Sequence, residues 1–337
     1  MCKKILVTLG PASMKKDIIA ECEDLGVYLY RINLSHTPVD EIISNIEKIR
    51  GWTNIPICLD SEGAQLRNQK MVSESVLFKV GGEVYIHFDP VVGDENNISF
   101  SPVGIARQFV VGDKISIDFN QAQLSVIEIN KDRALAKVVS GGKVGSNKAA
   151  DSQRALKFDP LTIKDFEAIK IGLDLNICNF ALSFANTPED VELMRSLCGK
   201  DANIICKIES PHGLVNLDGI IDYTDEILID RGDLSRKISI EKIPFLQRKI
   251  ISIARSRKTP VFVATNLLES MVKNNFPNRA EVNDVVSTLL MGADGLVLAA
   301  ETAIGNFPVE AVTMIRNLID ESENWIPDAS LSEIMDV

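Results

Sequence analysis

The chain has 337 residues, 45% of them hydrophobic and 25% charged, enough to bury one large core or two modest ones. Lys and Arg number 36 against 47 Asp and Glu, and the resulting charge of -11 argues against nucleic acid or an anionic membrane surface as a partner, because both reward a basic face. No run approaches the ~20 apolar residues of a spanning helix, and no leader-like apolar stretch with a small-residue cleavage site opens the chain, so a cytoplasmic protein acting on small molecules is expected.

In chain order, apolar runs at 5–10, 27–35, 56–61, 179–185, 203–209, 226–232, 260–265 and 295–301 alternate with segments such as 187–198, 240–256 and 308–319, whose apolar residues recur every three or four positions. Pro188 and Pro308 sit just inside two helix starts, where a missing N–H does no harm. Runs that are apolar on both faces and separated by helices require a parallel sheet covered all round; eight of them predict an α/β fold, a (β/α)8 TIM barrel. After the third run the rhythm breaks. Strand-like stretches at 83–88, 114–119, 124–129 and 135–139, with Gly-containing turns, predict a small β-barrel-like all-β domain inserted after strand 3. The barrel is thus expected over 1–68 and 156–325, the insert over 69–155, and a polar tail over 326–337 after a last helix ending near Glu321. Gly and Ser in 140–148 read as a hinge, and an insert so placed would act as a lid over the barrel mouth.

Cys2, Cys22, Cys58, Cys178, Cys198 and Cys206 form no CxxC pair and read as reduced core residues, without a metal or disulfide role. Polar residues instead gather at the C-terminal ends of the runs, where a barrel of this kind builds its chemistry. Arg31, Asn33 and Ser35 share one face of the second strand; Asp60 and Ser61 end the third, with Arg67 shortly after. Ser183, Lys207 with Glu209, Arg231 with Gly232 and Asp233, Thr265 and Glu301 follow on the remaining strands. Any one of these residues alone reads as solvated rim or a turn. Lys207 and Glu209 carry more weight, because the apolar stretch 204–206 before them implies a buried ammonium and carboxylate that must be paired or bound to something charged. Glu209 and Asp233 offer hard oxygen ligands with no His or Cys nearby, which suits Mg2+ or Mn2+ and argues against zinc. Gly232 and Asp233 predict helix-opening amides that would hold an anion, with Lys207, Arg31 and Arg67 adding positive charge. Asn33, Ser35, Asp60 and Ser61 form a second oxygen set, suited to a monovalent cation such as K+.

Nine segments, KKILVTLGPAS (3–13), RINLSHT (31–37), CLDSEGAQLRN (58–68), ALSFANTPEDV (181–191), CKIESPHGLVNLDGII (206–221), IDRGDL (229–234), VATNLLESM (263–271), NRAEVNDV (278–285) and LAAETAIGNFPVEAV (298–312), resemble the pyruvate kinase family, in order and along the whole chain. The resemblance implies transfer of a phosphoryl group between phosphoenolpyruvate and ADP, giving pyruvate and ATP, with Mg2+ or Mn2+ and K+, in glycolysis. It makes Lys207 the cation beside the transferring phosphoryl group and the enolate oxygen, and Glu209 and Asp233 the divalent-metal ligands. Thr265 resembles the hydroxyl near the enolate carbon, the Gly232 and Asp233 amides those that hold the substrate carboxylate, and Ser183 a neighbour of the substrate. Arg31, His36 and Arg67 resemble phosphate and nucleotide contacts; Asn33, Ser35, Asp60 and Ser61 resemble the monovalent-cation ligands, and Asp118 the aspartate of the lid.

The chain also departs from the family pattern. Ala299 stands where a serine implicated in proton delivery is common, Ile304 and Glu62 where lysines are frequent, and Gln65 where Glu or Lys is usual. Asp230 replaces a small residue, Asn266 a glutamine, and Ser235, Arg236 and Lys237 the usual Gly-Val-Glu. The family's third domain, with its allosteric sugar-phosphate site, has no counterpart in these 337 residues, so regulation of that kind is not expected; the oligomeric state stays open. Two alternatives accompany the phosphotransferase reading: a lyase or aldol-type enzyme that keeps metal-assisted enolate chemistry on pyruvate or another 2-oxo acid, and a non-catalytic binding homologue.

Overall fold

The computed structural model describes residues 3–63, 65–118 and 121–335. Cys2, Phe119 at the end of one expected strand, and the last two residues of the tail therefore lie outside the described residues. The chain forms two compact units, Met1–Gly63 with Ile163–Val337, and Ala64–Thr162, so the changeovers fall at 63/64 and 162/163 rather than after 68 and 155.

The first unit is a (β/α)8 barrel. Strands Lys4–Leu9, Leu29–Asn33, Ile57–Asp60, Asn179–Leu182, Asn203–Ile208, Glu226–Asp230, Val261–Ala264 and Gly295–Leu298 pair in parallel, each with the next, and the first with the eighth closes the ring. Helices separate them, and two open on capping boxes: Thr187 with Asp190 ahead of Pro188–Cys198, and Asn278 with Glu281 ahead of Arg279–Leu290. Pro308 opens the last long helix, which runs to Asn324, past the expected end, and Leu331–Ile334 forms one further helical turn within the expected tail.

Every strand contributes a buried apolar side chain to a central plug, Leu6, Leu29, Cys58, Ala181, Ile205, Leu228, Phe262 and Val297 in strand order, and the seventh strand adds Ala264. Because strand side chains alternate, the residues two positions before and after these form polar layers below and above the plug. Lys4, Asn179, Asn203 and Glu226 fall below; Thr8, Arg31, Asp60, Ser183, Lys207 and Asp230 fall above, at the C-terminal mouth.

The second unit is built of β-strands with one 3-10 turn at Ile105–Gln108 among its described residues. A seven-stranded sheet runs in order from Ala150–Ser152 through Lys114–Ile117, Ala122–Ile129, Arg133–Ser140, Glu83–His87 and Asn97–Ser101 to Arg67–Asn68, and one bridge from Arg67 to Ala149 joins its two edges. Its own core includes Phe78, Val84, Ile86, Phe100, Ile115 and Leu124. The expected hinge at 140–148 is not one: Gly142–Gly145 is a strand paired antiparallel with Ser75–Phe78. Glycine is needed there for close approach rather than flexibility, since a Cβ on Gly142 would collide with the Gln121 carbonyl.

Cys22, Cys58, Cys198 and Cys206 are buried and free, whereas Cys178 is free and exposed, which corrects its assignment to the core. It precedes the fourth strand, where the chain is still on the surface. No helix among the described residues is long and apolar enough to cross a membrane.

Candidate active site

Above the plug, Asp60 is the hub. Its Oδ2 accepts from Arg31 Nη1 at 2.9 Å and from Lys207 Nζ at 3.3 Å, and the residue is fully buried. Arg31 is fixed from the other side by Nε, which donates to Thr8 Oγ1 at 2.9 Å. Ser183 Oγ accepts from Lys207 Nζ at 2.9 Å, donates to the Ser61 carbonyl at 2.7 Å and lies 3.2 Å from Asp60 Oδ1. Burial pulls the Lys207 pKa down, but the Asp60 and Glu209 carboxylates more than offset it, so the ammonium is held charged.

Next to Lys207 the Glu209, Asp230 and Asp233 carboxylates converge, with one ligand oxygen from each lying within 4.8 Å of the others. Glu209 Oε2 accepts from the Phe184 amide at 2.7 Å, while Oε1 lies 3.0 Å from Lys207 Nζ and, though buried, takes no hydrogen bond. Burial, together with the charges of Asp233, Asp230 and Asp60, raises the Glu209 pKa against the opposing pull of Lys207. Burial and Asp230 likewise raise that of Asp233, against Arg236, whose Nη1 donates to Asp233 Oδ1 at 2.9 Å. A buried carboxylate oxygen without a hydrogen bond in an all-oxygen acidic cluster suits a hard divalent ion such as Mg2+ or Mn2+.

The expected anion site is built but already filled. Asp230 Oδ1 accepts from the Gly232 amide at 3.1 Å, the Asp233 amide at 3.3 Å and the Thr265 hydroxyl at 2.7 Å. The amides expected to face a ligand are thus satisfied by the chain itself, because an aspartate at this strand end acts as the N-cap of the turn that follows. Thr265 is held in place at φ 70, and Arg231, expected at the mouth, turns away to grip it: Nε donates to the Thr265 carbonyl at 3.1 Å and Nη1 to Asp284 Oδ2 at 2.6 Å. Glu301 also turns to backbone, accepting from the Leu268 amide at 3.2 Å and the Ala299 amide at 2.9 Å.

The four oxygen groups assigned to a monovalent cation are not presented as an open cage. Asn33 Oδ1 accepts from the Ser35 amide at 2.9 Å, Ser61 Oγ accepts from the Ser183 amide at 2.9 Å, and Asp60 serves Arg31 and Lys207. Asn33 Oδ1, Ser61 Oγ and Asp60 Oδ2 thus each already accept from a protein donor, and no step below uses a monovalent ion. Of the three expected nucleotide contacts, Arg31 is buried and His36 is exposed on the turn after the second strand, while Arg67 belongs to the second unit, where Nη1 donates to the Asn147 carbonyl at 3.0 Å. Asp118 pairs with Lys148 at 3.8 Å in that unit.

Sequence reasoning misses three contributors. It makes Asp60 a cation ligand rather than the hub; the clue to its role is Arg31, inward-facing on the adjacent strand. It passes over Thr8, and also Asp165, which is fully buried and accepts from the Glu62 amide at 2.7 Å and the Gly63 amide at 3.1 Å to fix the turn after the third strand. Gly63 is required in that turn: its φ is 73, and a Cβ would come within 2.6 Å of Ser183 Cβ.

A closed parallel barrel whose charged groups gather above an apolar plug defines the class of (β/α)8 barrels that work at their C-terminal mouth. Comparison with known proteins narrows this class. The family model described as pyruvate kinase, barrel domain, matches residues 2–312. The chain is 35% identical to the pyruvate kinase of Thermotoga maritima over 330 residues, covering 95% of this chain and 71% of that one. It is 33% identical to that of Methylorubrum extorquens, covering 95% and 68%, and 32% identical to that of Mycobacterium tuberculosis, covering 98% and 72%. The chain belongs to the pyruvate kinase family, and membership supports an enzyme of the kinase type.

Proposed function

We propose that the protein is a pyruvate kinase-type phosphotransferase, moving a phosphoryl group between phosphoenolpyruvate and ADP at the barrel mouth. The observation that carries this is the buried Lys207 ammonium, held by Asp60 and Ser183 beside Glu209 and the two aspartates. Asp60 and Ser183 orient Lys207, whose positive charge would stabilise negative charge that develops on a transferring phosphoryl group or an enolate oxygen. Glu209 and Asp233 would hold Mg2+ or Mn2+, which supplies Lewis-acid neutralisation of phosphoryl oxygens. Thr265, whose hydroxyl donates to Asp230 Oδ1, would lie near the enolate carbon. Coupled to a pyruvate-reducing enzyme, phosphoenolpyruvate, ADP and Mg2+ should give turnover that Lys207→Met abolishes; background rates in the unaltered protein refute the reading.

A second reading, enolate chemistry on a 2-oxo acid without phosphoryl transfer, is favoured by Ala299, which brings no hydroxyl to the end of the eighth strand. Deuterium exchange at the pyruvate methyl group in the absence of kinase turnover would select it.

A further inference from the structure

We infer that Asp230 is a specificity-determining residue that supplies, from the protein itself, the carboxylate for the three-donor cradle at the mouth, so that a ligand carboxylate must displace it to bind. The inference rests on the phosphotransferase reading only for the identity of the ligand. Its geometry is independent of that reading.

Three donors from two strand ends reach one oxygen: two consecutive backbone amides after the sixth strand, the first of them shared with Thr265 Oγ1 at 3.1 Å, and the Thr265 hydroxyl after the seventh, at 3.1, 3.3 and 2.7 Å. Donors converging in this way, one of them on a residue locked at φ 70, form a rigid cradle for a single anionic oxygen. The cradle is close-fitting: a Cβ on Gly232 would come within 3.1 Å of Thr265 Cγ2 and 3.3 Å of Asp230 Oδ1. A carboxylate attached to the chain competes with a free one at high effective concentration, because it has no translational freedom to lose. It also adds a third negative charge beside Glu209 and Asp233, which repels an incoming carboxylate and favours a divalent cation. Asp230 therefore disfavours ligands that place a carboxylate in the cradle, among them small 2-oxo acids, their enol phosphates and oxalate. Ligands that meet the site only through phosphoryl or enolate oxygens escape this competition.

The test uses the full chain with Asp230→Ala and Asp230→Asn. Oxalate, a rigid dicarboxylate, is titrated in the presence of Mn2+ by calorimetry, and folding is checked by thermal melting. Oxalate affinity should rise by at least about tenfold in Asp230→Ala, since the competing charge-assisted contacts are removed, with Asp230→Asn in between. The KM for phosphoenolpyruvate should fall by a similar factor. Equal oxalate affinity in the original protein and a folded Asp230→Ala overturns the inference, as does a graded loss of affinity from Asn to Ala. If oxalate binding responds but phosphoenolpyruvate is not turned over in any form, the inference holds and the phosphotransferase reading falls. If phosphoenolpyruvate is turned over but oxalate binding does not respond, the phosphotransferase reading holds and the inference falls.

Discussion

Two lysine–glutamate pairs occupy opposite ends of one barrel, separated by the apolar plug. At the N-terminal end, Lys4 Nζ lies 3.3 Å from Glu226 Oε1 and 3.9 Å from the centre of the Tyr28 ring, and Lys4 keeps 30% of its side-chain surface exposed. At the mouth, Lys207 and Glu209 lie 3.0 Å apart with 8% and 0% exposed. The lower pair is balanced and closes the barrel floor. Above the plug, the four carboxylates Asp60, Glu209, Asp230 and Asp233 outnumber the three cations Arg31, Lys207 and Arg236. Excess buried negative charge is costly unless a further cation answers it, so the same residue pair closes the barrel at one end and, in the proposed reading, meets a ligand at the other.

Lys207→Met should break the contrast most severely, cutting turnover by at least about a thousandfold, while Lys4→Met leaves kcat within about twofold; comparable losses would mean that the ends are not functionally distinct. Removing the hub charge comes next. Asp60→Asn leaves Arg31 and Lys207 without their shared partner and should destabilise the protein by about 3–5 kcal/mol in urea unfolding. The third effect is a pH dependence. Burial and its acidic neighbours push the Glu209 carboxyl up to about 8, so below that pH a proton competes with the metal. Mn2+ affinity should rise about tenfold per pH unit up to there, with release of about one proton, and Glu209→Gln should lose both the tight binding and the proton release. Calorimetry in two buffers of different ionisation enthalpy measures this, and a pH-independent affinity contradicts it. At the floor, Glu226→Gln should cost about 1 kcal/mol or less, as expected for a partly solvated pair. The smallest effect concerns thiols. Burial pushes Cys206, on the strand that carries Lys207, up to about 12, whereas Cys178 is exposed on the surface below the fourth strand. In a Cys2→Ser background, maleimide at pH 7.5 should label one thiol of the native protein, and turnover should be unchanged.

Much of this was legible in the sequence. The eight apolar runs and the helical spacing between them specify the barrel because burial on both faces leaves no polar alternation, and the runs at 203–209 and 226–232 already contain Lys207, Glu209 and, one position on, Asp233. The stretch 140–148 misled because glycine has two uses, flexibility and close approach, and only the strand beside it distinguishes them. Asn33, Asp60 and Ser61 show the same limit: a set of oxygens does not say which donors they already serve.

The sequence by itself determined the periodicity, and with it the parallel closed sheet, the insert after the third strand and the strand ends where charge accumulates. Only the tertiary structure decided pairing among those charges. Asp60 became the partner of both Arg31 and Lys207, and Asp230 filled the cradle made by Gly232, Asp233 and Thr265. The reason is range: burial patterns are set by neighbours a few residues apart, whereas the ion pairs of Asp60 at the mouth join strands separated by 29 and 147 positions, whose approach exists only once the ring has closed.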